Sequence, residues 1–197
     1  MPPVTQALII ANVAVYLLEM GGIPLVDVFA LWPPAVGPDM VSGFAPWQLV
    51  TYGFLHGSLG HIFFNMFGLY MFGSAVELLF GARFYLQYYF ASVLAAGLTH
   101  IAVTTIFGGS GAPLVGASGG VFGLLLAFGW YFPERTILLI IPPIPMRART
   151  FVAVYAVLEL YFGVTGTAAG IAHFAHLGGM LGGWLMIVWR RRGPPRR

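Results

Sequence analysis

Six apolar stretches divide the chain, at 4–20, 61–80, 84–107, 115–132, 150–162 and 171–189. Each reads as a helix, and most approach the ~20 residues that cross a ~30 Å hydrocarbon layer. The breaks between them carry glycine and proline: Gly81, Gly108 to Pro113, Pro142-Pro143-Ile144-Pro145 and Gly163 to Gly170. The fifth stretch is the shortest, about 20 Å of helix at ~1.5 Å per residue, and its start could lie nearer Pro145. The segment 137–141 is apolar but too short to span. The longest connection, 21–60, mixes apolar and turn residues around Trp32-Pro33-Pro34, Trp47, Tyr52 and Phe54, which predicts structure lying on the membrane interface. No internal repeat points to inverted transporter halves.

Composition sharpens this pattern. With 59% hydrophobic and 8% charged residues, too little polar surface exists to coat a soluble globule, so the bilayer is the expected solvent. At 197 residues the chain is expected to form a single transmembrane domain. The absence of cysteine excludes disulfides and thiolate chemistry. No Lys or Arg precedes the first stretch and no small-x-small cleavage site precedes Gly21, so the first helix is expected to be retained.

All nine basic residues are Arg, in three groups: Arg83; Arg135, Arg147 and Arg149; and Arg190 to Arg192 with Arg196 and Arg197. Two spans separate each group from the next. All three then share one face, which the positive-inside rule makes cytoplasmic, with both termini and a basic tail at 190–197 inside. Asp27 and Asp39 fall in the first outer loop. The expected fold is an all-α membrane protein of six transmembrane helices.

Polar groups inside lipid are costly and need a reason. The second, fourth and sixth stretches run from outside to inside, and their first turns hold His61 and Asn65, Ser118, and His176. Four polar groups thus converge at one depth. His61 and Asn65, four residues apart, share a helix face. Gly119 and Gly123, with Ala127 below, form a small-xxx-small stripe, and Gly178 with Gly182 repeats it on the sixth helix. Such stripes permit the close approach that a serine and a histidine on separate helices need in order to share a hydrogen bond. Taken singly, each residue has a plainer reading. A serine between glycines commonly packs helices; His56 and His100 read as structural donors, and His173 fits either role. Glu77 and Glu159 read as caps or cross-links, and Phe63, Phe67, Tyr88, Tyr89 and Phe90 as packing or lipid-facing residues.

Three ordered motifs, His61-Ile62-Phe63-Phe64-Asn65, Gly116-Ala117-Ser118-Gly119 and Ala175-His176-Leu177-Gly178-Gly179-Met180-Leu181-Gly182, resemble those of the rhomboid intramembrane serine proteases. The resemblance covers roughly 47–189. Phe54-Leu55-His56 and Glu77 with Gly81 and Arg83 add to it. It implies a six-helix core whose active-site cavity opens to the extracytoplasmic side of the cell (plasma or inner) membrane. Two positions depart from the family pattern: Trp47-Gln48 stands where Trp-Arg is common, which bears on loop anchoring, and Phe122 stands where Tyr is common.

By this resemblance Ser118 is the nucleophile and His176 the general base. His61, Asn65 and the Ser118 backbone N–H form the oxyanion hole, with Gly116, Gly119, Phe122, Gly178 and Gly182 in support. Each such donor is typically worth ~2.7 to 4 kcal/mol of barrier. The sixth helix carries no carboxylate, so a dyad is expected, with Phe122 packing on the imidazole in place of an acid. Expected substrates are membrane proteins with a helix-destabilised transmembrane segment and a small residue at the cut. They would reach the site past Val154, Leu158 and Tyr161 of the fifth helix, or under the first outer loop. No cofactor, metal or nucleic acid is expected. Three rivals stay open. Gly116-x-Ser118-x-Gly120 also spells a nucleophile elbow, followed by Glu159 and His176 in triad order, but that elbow requires a preceding strand. His61, His173 and His176 could hold a metal, although no H-E-x-x-H motif or nearby acidic ligand is evident. A catalytically inactive relative that binds transmembrane helices is the third, and such a relative would be expected to have lost the serine or histidine.

Overall fold

The computed structural model describes residues 1–34, 43–108, 112–138, 143–166 and 172–192. Asp39, the glycine-rich breaks at 109–111 and 167–171, Ile171 and the tail at 193–197 lie outside the described residues.

The protein is mostly helical. Among the described residues, four helices are long and apolar enough to cross a membrane: α1 (Pro3–Met20), the continuous Leu59–Phe80, α6 (Ala82–Phe107) and α8 (Ala148–Thr165). Two short helices, α2 (Leu25–Phe29) and α3 (Gln48–Thr51), lie in the first connection, and a 3-10 turn, Tyr52–Phe54, follows α3. Leu59–Phe80 comprises α4 (Leu59–Gly68), a π-helical turn (Leu69–Gly73) and α5 (Ser74–Phe80). The remaining helices are α7 (Ser118–Tyr131) and α9 (His173–Arg192).

The expected lengths need correcting. The fifth apolar stretch is no short helix: α8 has 18 residues, about 27 Å. The short one is α7, with 14 residues or about 21 Å, because the segment before Ser118 is non-helical, with Gly116 at positive φ and a turn at Ala117. α9 has 20 residues, but its histidines, glycines and terminal Arg190–Arg192 lower its mean hydropathy below that of the four long spans. Nor is the chain wholly α-helical. Part of the apolar segment at 137–141 forms β1 (Thr136–Leu138), paired antiparallel with β2 (Pro145–Arg147) in a hairpin.

Tyr85, Tyr88, Tyr89, Leu69, Val76, Leu124 and Ile187 are fully buried at the centre, while Leu17, Phe64, Leu78, Ile106, Val157 and Leu185 project outward. That inversion of surface character suits a hydrocarbon solvent. Polar cross-links hold the apolar elements in register. Glu77 accepts hydrogen bonds from the backbone N–H of Val4 and Thr5, at 2.9 and 2.6 Å, and from the Thr5 hydroxyl, so it caps α1 as a buried cross-link.

α6, α7 and α9 meet almost backbone to backbone. A side chain at Gly179 would run into the Gly119 backbone, and one at Gly183 into the Tyr88 hydroxyl. Gly123 in turn packs against Ser92 and the Gly179 carbonyl. The facing pair of stripes is therefore Gly119/Gly123 with Gly179/Gly183. Gly178 and Gly182, expected to serve the fourth helix, instead seat α9 on α6, against Thr99 and Ala95. The reason is angular: a shift of one residue turns a helix face by about 100°.

The described arginines gather at one end of the bundle. Arg190 lies over the rings of Phe80 and Phe84, the latter next in sequence to Arg83, at 4.8 and 4.5 Å. Arg191 covers Trp130 near the end of α7, and Arg135 covers Phe128 and Phe132. Arg147 and Arg149 both pair with Glu134. Ser118 begins α7 at its other end.

Candidate active site

Ser118 is the first residue of α7, so its backbone N–H is one of the donors that a helix start leaves without an intrahelical partner. The segment before it is fixed by backbone pairing. Leu114 and Leu31 exchange two hydrogen bonds, and the Gly116 N–H donates to the Tyr52 carbonyl at 2.9 Å. The Tyr52 hydroxyl, buried, donates to the Val93 carbonyl of α6 at 2.7 Å. The first connection is thereby tied to the segment that precedes Ser118.

That connection has its own anchor in Gln48, which is fully buried. Its amide oxygen accepts from the backbone N–H of Trp32 and Ala45, and its amide nitrogen donates to the carbonyls of Val28 and Gly43. Glutamine can both donate and accept, so it stitches together strands of loop that an arginine could only donate to.

His176 lies in the first turn of α9, with its Nε2 2.9 Å from Ser118 Oγ. Its ring stacks on Phe122, centroids 4.3 Å apart and planes within 5°. Phe122 lies one turn below Ser118 on α7. The expectation that no carboxylate reaches His176 does not hold. Glu159 Oε2 on α8 is 3.0 Å from His176 Nδ1 and 2.7 Å from His173 Nδ1. All three side chains are nearly buried. Gly163, one turn beyond Glu159 on the same face, lies against Phe174 and His173. This lets α8 close on the start of α9.

His61 and Asn65 share a face of α4 and lie against Gly116: a β-carbon there would sit 2.6 Å from His61 Nε2 and 3.7 Å from the Asn65 amide nitrogen. Gly116 has φ +122°, which disfavours side chains on its own account. Asn65 is buried, with its amide donating to the His61 carbonyl at 3.2 Å. The His61 backbone N–H donates to Ser58 Oγ, which caps α4. His56 packs edge-on to His61 with centroids 5.0 Å apart. Burial, and then the neighbouring His61, push the His56 imidazole down to about 4, so it is neutral at neutral pH.

Glu159, His173 and His176 each offer one ligand atom within 4.8 Å of the others. An acidic group does therefore stand beside His176, contrary to the sequence-based argument against a metal, and His61 is not part of the cluster. The Oε2-to-nitrogen separations of 2.7 and 3.0 Å are those of hydrogen bonds. Two donors on a tetrahedral zinc stand about 3.3 Å apart. Val154, Leu158 and Tyr161 are all exposed along α8. The nucleophile-elbow reading lacks its strand: the only strands among the described residues follow Ser118.

Sequence reasoning missed three contributors: Glu159 as a partner of His176, Gly179/Gly183 as the stripe facing α7, and Gln48 as the loop anchor. For Glu159 the available signal was a carboxylate in an apolar helix with a glycine one turn on.

Comparison with known proteins places the chain in a family. The rhomboid domain matches residues 44–193. The chain is 33% identical over 150 residues to the mitochondrial Rhomboid protein 1 of Saccharomyces cerevisiae, covering 70% of this chain and 40% of that protein. It is 32% identical over 139 residues to the Rhomboid protease GluP of Bacillus subtilis, covering 70% and 25%. To the Rhomboid protease GlpG of Yersinia pestis it is 29% identical over 198 residues, covering 98% and 65%. A multi-pass helical membrane protein with this homology belongs to the rhomboid family of intramembrane proteases. The chain spans between a quarter and about two thirds of the length of these relatives.

Proposed function

We propose that this protein is a serine endopeptidase that cuts transmembrane segments of other membrane proteins, with Ser118 as nucleophile and His176 as general base. The observation that carries the reading is the 2.9 Å contact between His176 Nε2 and Ser118 Oγ, across two helices held together by glycine contacts. Neutral His176 takes the Ser118 proton as Oγ attacks the scissile carbonyl, then returns it to the leaving amine. The Ser118 N–H, the Asn65 amide and His61 supply donors to the developing oxyanion. The Ser–His step itself requires no metal or organic cofactor.

The chain crosses the bilayer six times, α7 and α9 completing the four long spans, with the arginine-rich end cytoplasmic and Ser118 toward the outside. A substrate helix approaches laterally past Val154, Leu158 and Tyr161 and unwinds locally, since a helical peptide bond is shielded from attack. The test is cleavage of a single-span test substrate by purified protein in detergent, beside Ser118→Ala and His176→Ala. Cleavage by the wild type, lost in both variants, is expected. A folded wild type that binds the substrate without cutting it would instead identify an inactive helix-binding relative.

A further inference from the structure

Ser118 Oγ can give its proton only to an unprotonated Nε2, so the neutral His176 ring must carry its hydrogen on Nδ1. In this chain Nδ1 faces a carboxylate oxygen, Glu159 Oε2, at 3.0 Å. An ionised carboxylate only accepts hydrogen bonds, so it selects the Nδ1–H tautomer that the Ser118 step requires. When the ring becomes imidazolium, the same oxygen offsets the new charge at low local dielectric, the side chains of Glu159 and His176 being only 12% and 13% exposed. His173 Nδ1 reaches the same oxygen at 2.7 Å and so pins the carboxylate. Glu159 belongs to α8, not to α7 or α9.

We infer that Glu159 is a positioning residue for His176, making the serine site of this chain a Ser118–His176–Glu159 relay whose third member is supplied by the lateral helix. The inference rests on the serine-protease reading and adds its orienting group. It also ties catalytic competence to the seating of α8: displacing that helix by more than about 1 Å takes Oε2 beyond hydrogen-bond reach of Nδ1. The ring keeps its stacking on Phe122 but loses its tautomer lock.

The experiment compares purified wild type, Glu159→Gln and His173→Ala in detergent. It reads kcat and KM on the single-span substrate, the rate of Ser118 labelling by a small phosphonate, and the thermal midpoint. Glu159→Gln is expected to fold with a wild-type midpoint, keep KM within twofold and lose about 10²-fold in kcat, against the ~10⁴ seen for a fully buried triad acid. Labelling should slow in proportion but reach completion. His173→Ala should retain far more turnover than Glu159→Gln. Should Glu159→Gln fail to fold, histidine NMR of the wild type decides: a His176 Nδ1–H proton shifted strongly downfield, as a hydrogen bond to a carboxylate produces, supports the proposal, and an Nδ1–H without that shift, or protonation on Nε2, overturns it. Wild-type kcat in folded Glu159→Gln, or a loss confined to KM or thermal stability, overturns it while leaving the serine reading intact. Loss of wild-type activity to a chelator, restored by zinc, overturns it in favour of a metal at the same three side chains. A Ser118→Ala variant that still cuts overturns the serine reading and this inference together.

Discussion

Replacing Gly116 by alanine tests the oxyanion arrangement without touching any proposed reacting group. The added methyl would stand 2.6 Å from His61 Nε2 and 2.7 Å from its Cε1, where ordinary contact begins near 3.4 Å. The imidazole must therefore retreat by about 0.8 Å, which is enough to spoil a hydrogen bond to a developing oxyanion. Two costs follow and separate experimentally. The backbone at φ +122° adds strain of about 1–3 kcal/mol to folding. Loss of one donor adds about 2.7–4 kcal/mol to the barrier, or a 10²- to 10³-fold fall in kcat. Gly108→Ala is the control, since Gly108 also has positive φ but nothing within 4 Å of its added β-carbon. Thermal midpoints and steady-state cleavage in detergent, measured on both variants, apportion the two costs. Both should lose stability, and only Gly116→Ala should lose kcat per folded molecule. Equal kcat in the two variants would refute the placing of His61 in the transition state.

Two further outcomes follow. His56, held near 4 when folded and near 6.5 when unfolded, binds its proton in the unfolded chain first, so its contribution falls as pH drops from about 6.5 to about 4. The full effect is about 3 kcal/mol, and His56→Gln should show a flatter dependence of thermal midpoint on pH; an unchanged slope would contradict this. Reporters inserted at 109–111 and fused after Arg197 should read outside and inside respectively, and the reverse pattern would turn the proposed site toward the cytoplasm.

The motifs on α4, α7 and α9 were legible because each residue type suits one chemical task and the helix period fixes which neighbours share a face. The arginine groups were equally legible: alternation along the chain put them at one end, where Arg190 indeed meets Phe84. Helix starts were less so. The apolar run beginning at Val115 continues past the point where the backbone changes, because Gly116 takes a positive φ of +122° against the His61 ring, and hydropathy does not register φ. The glycine pattern misleads for a related reason. Gly178-Gly179 and Gly182-Gly183 give two stripes offset by one residue, and only the neighbours decide which stripe meets which helix. Glu159 was recognised as a cross-link, but its partners lie on another helix, and sequence spacing carries no information about that pairing.

With the orientation and activity proposed above, the shortness of α7 has a consequence for where a substrate would be cut. Its 14 residues cover about 21 Å of a hydrocarbon layer near 30 Å, so with its arginine end level with the inner boundary, Ser118 stands roughly 9 Å below the outer one. If Ser118 is the nucleophile as proposed, that recess acts as a depth gauge: a substrate helix would present to it only the bonds about two turns in from its outer end, and lengthening the substrate's outer apolar turn should move the cut by the same number of residues.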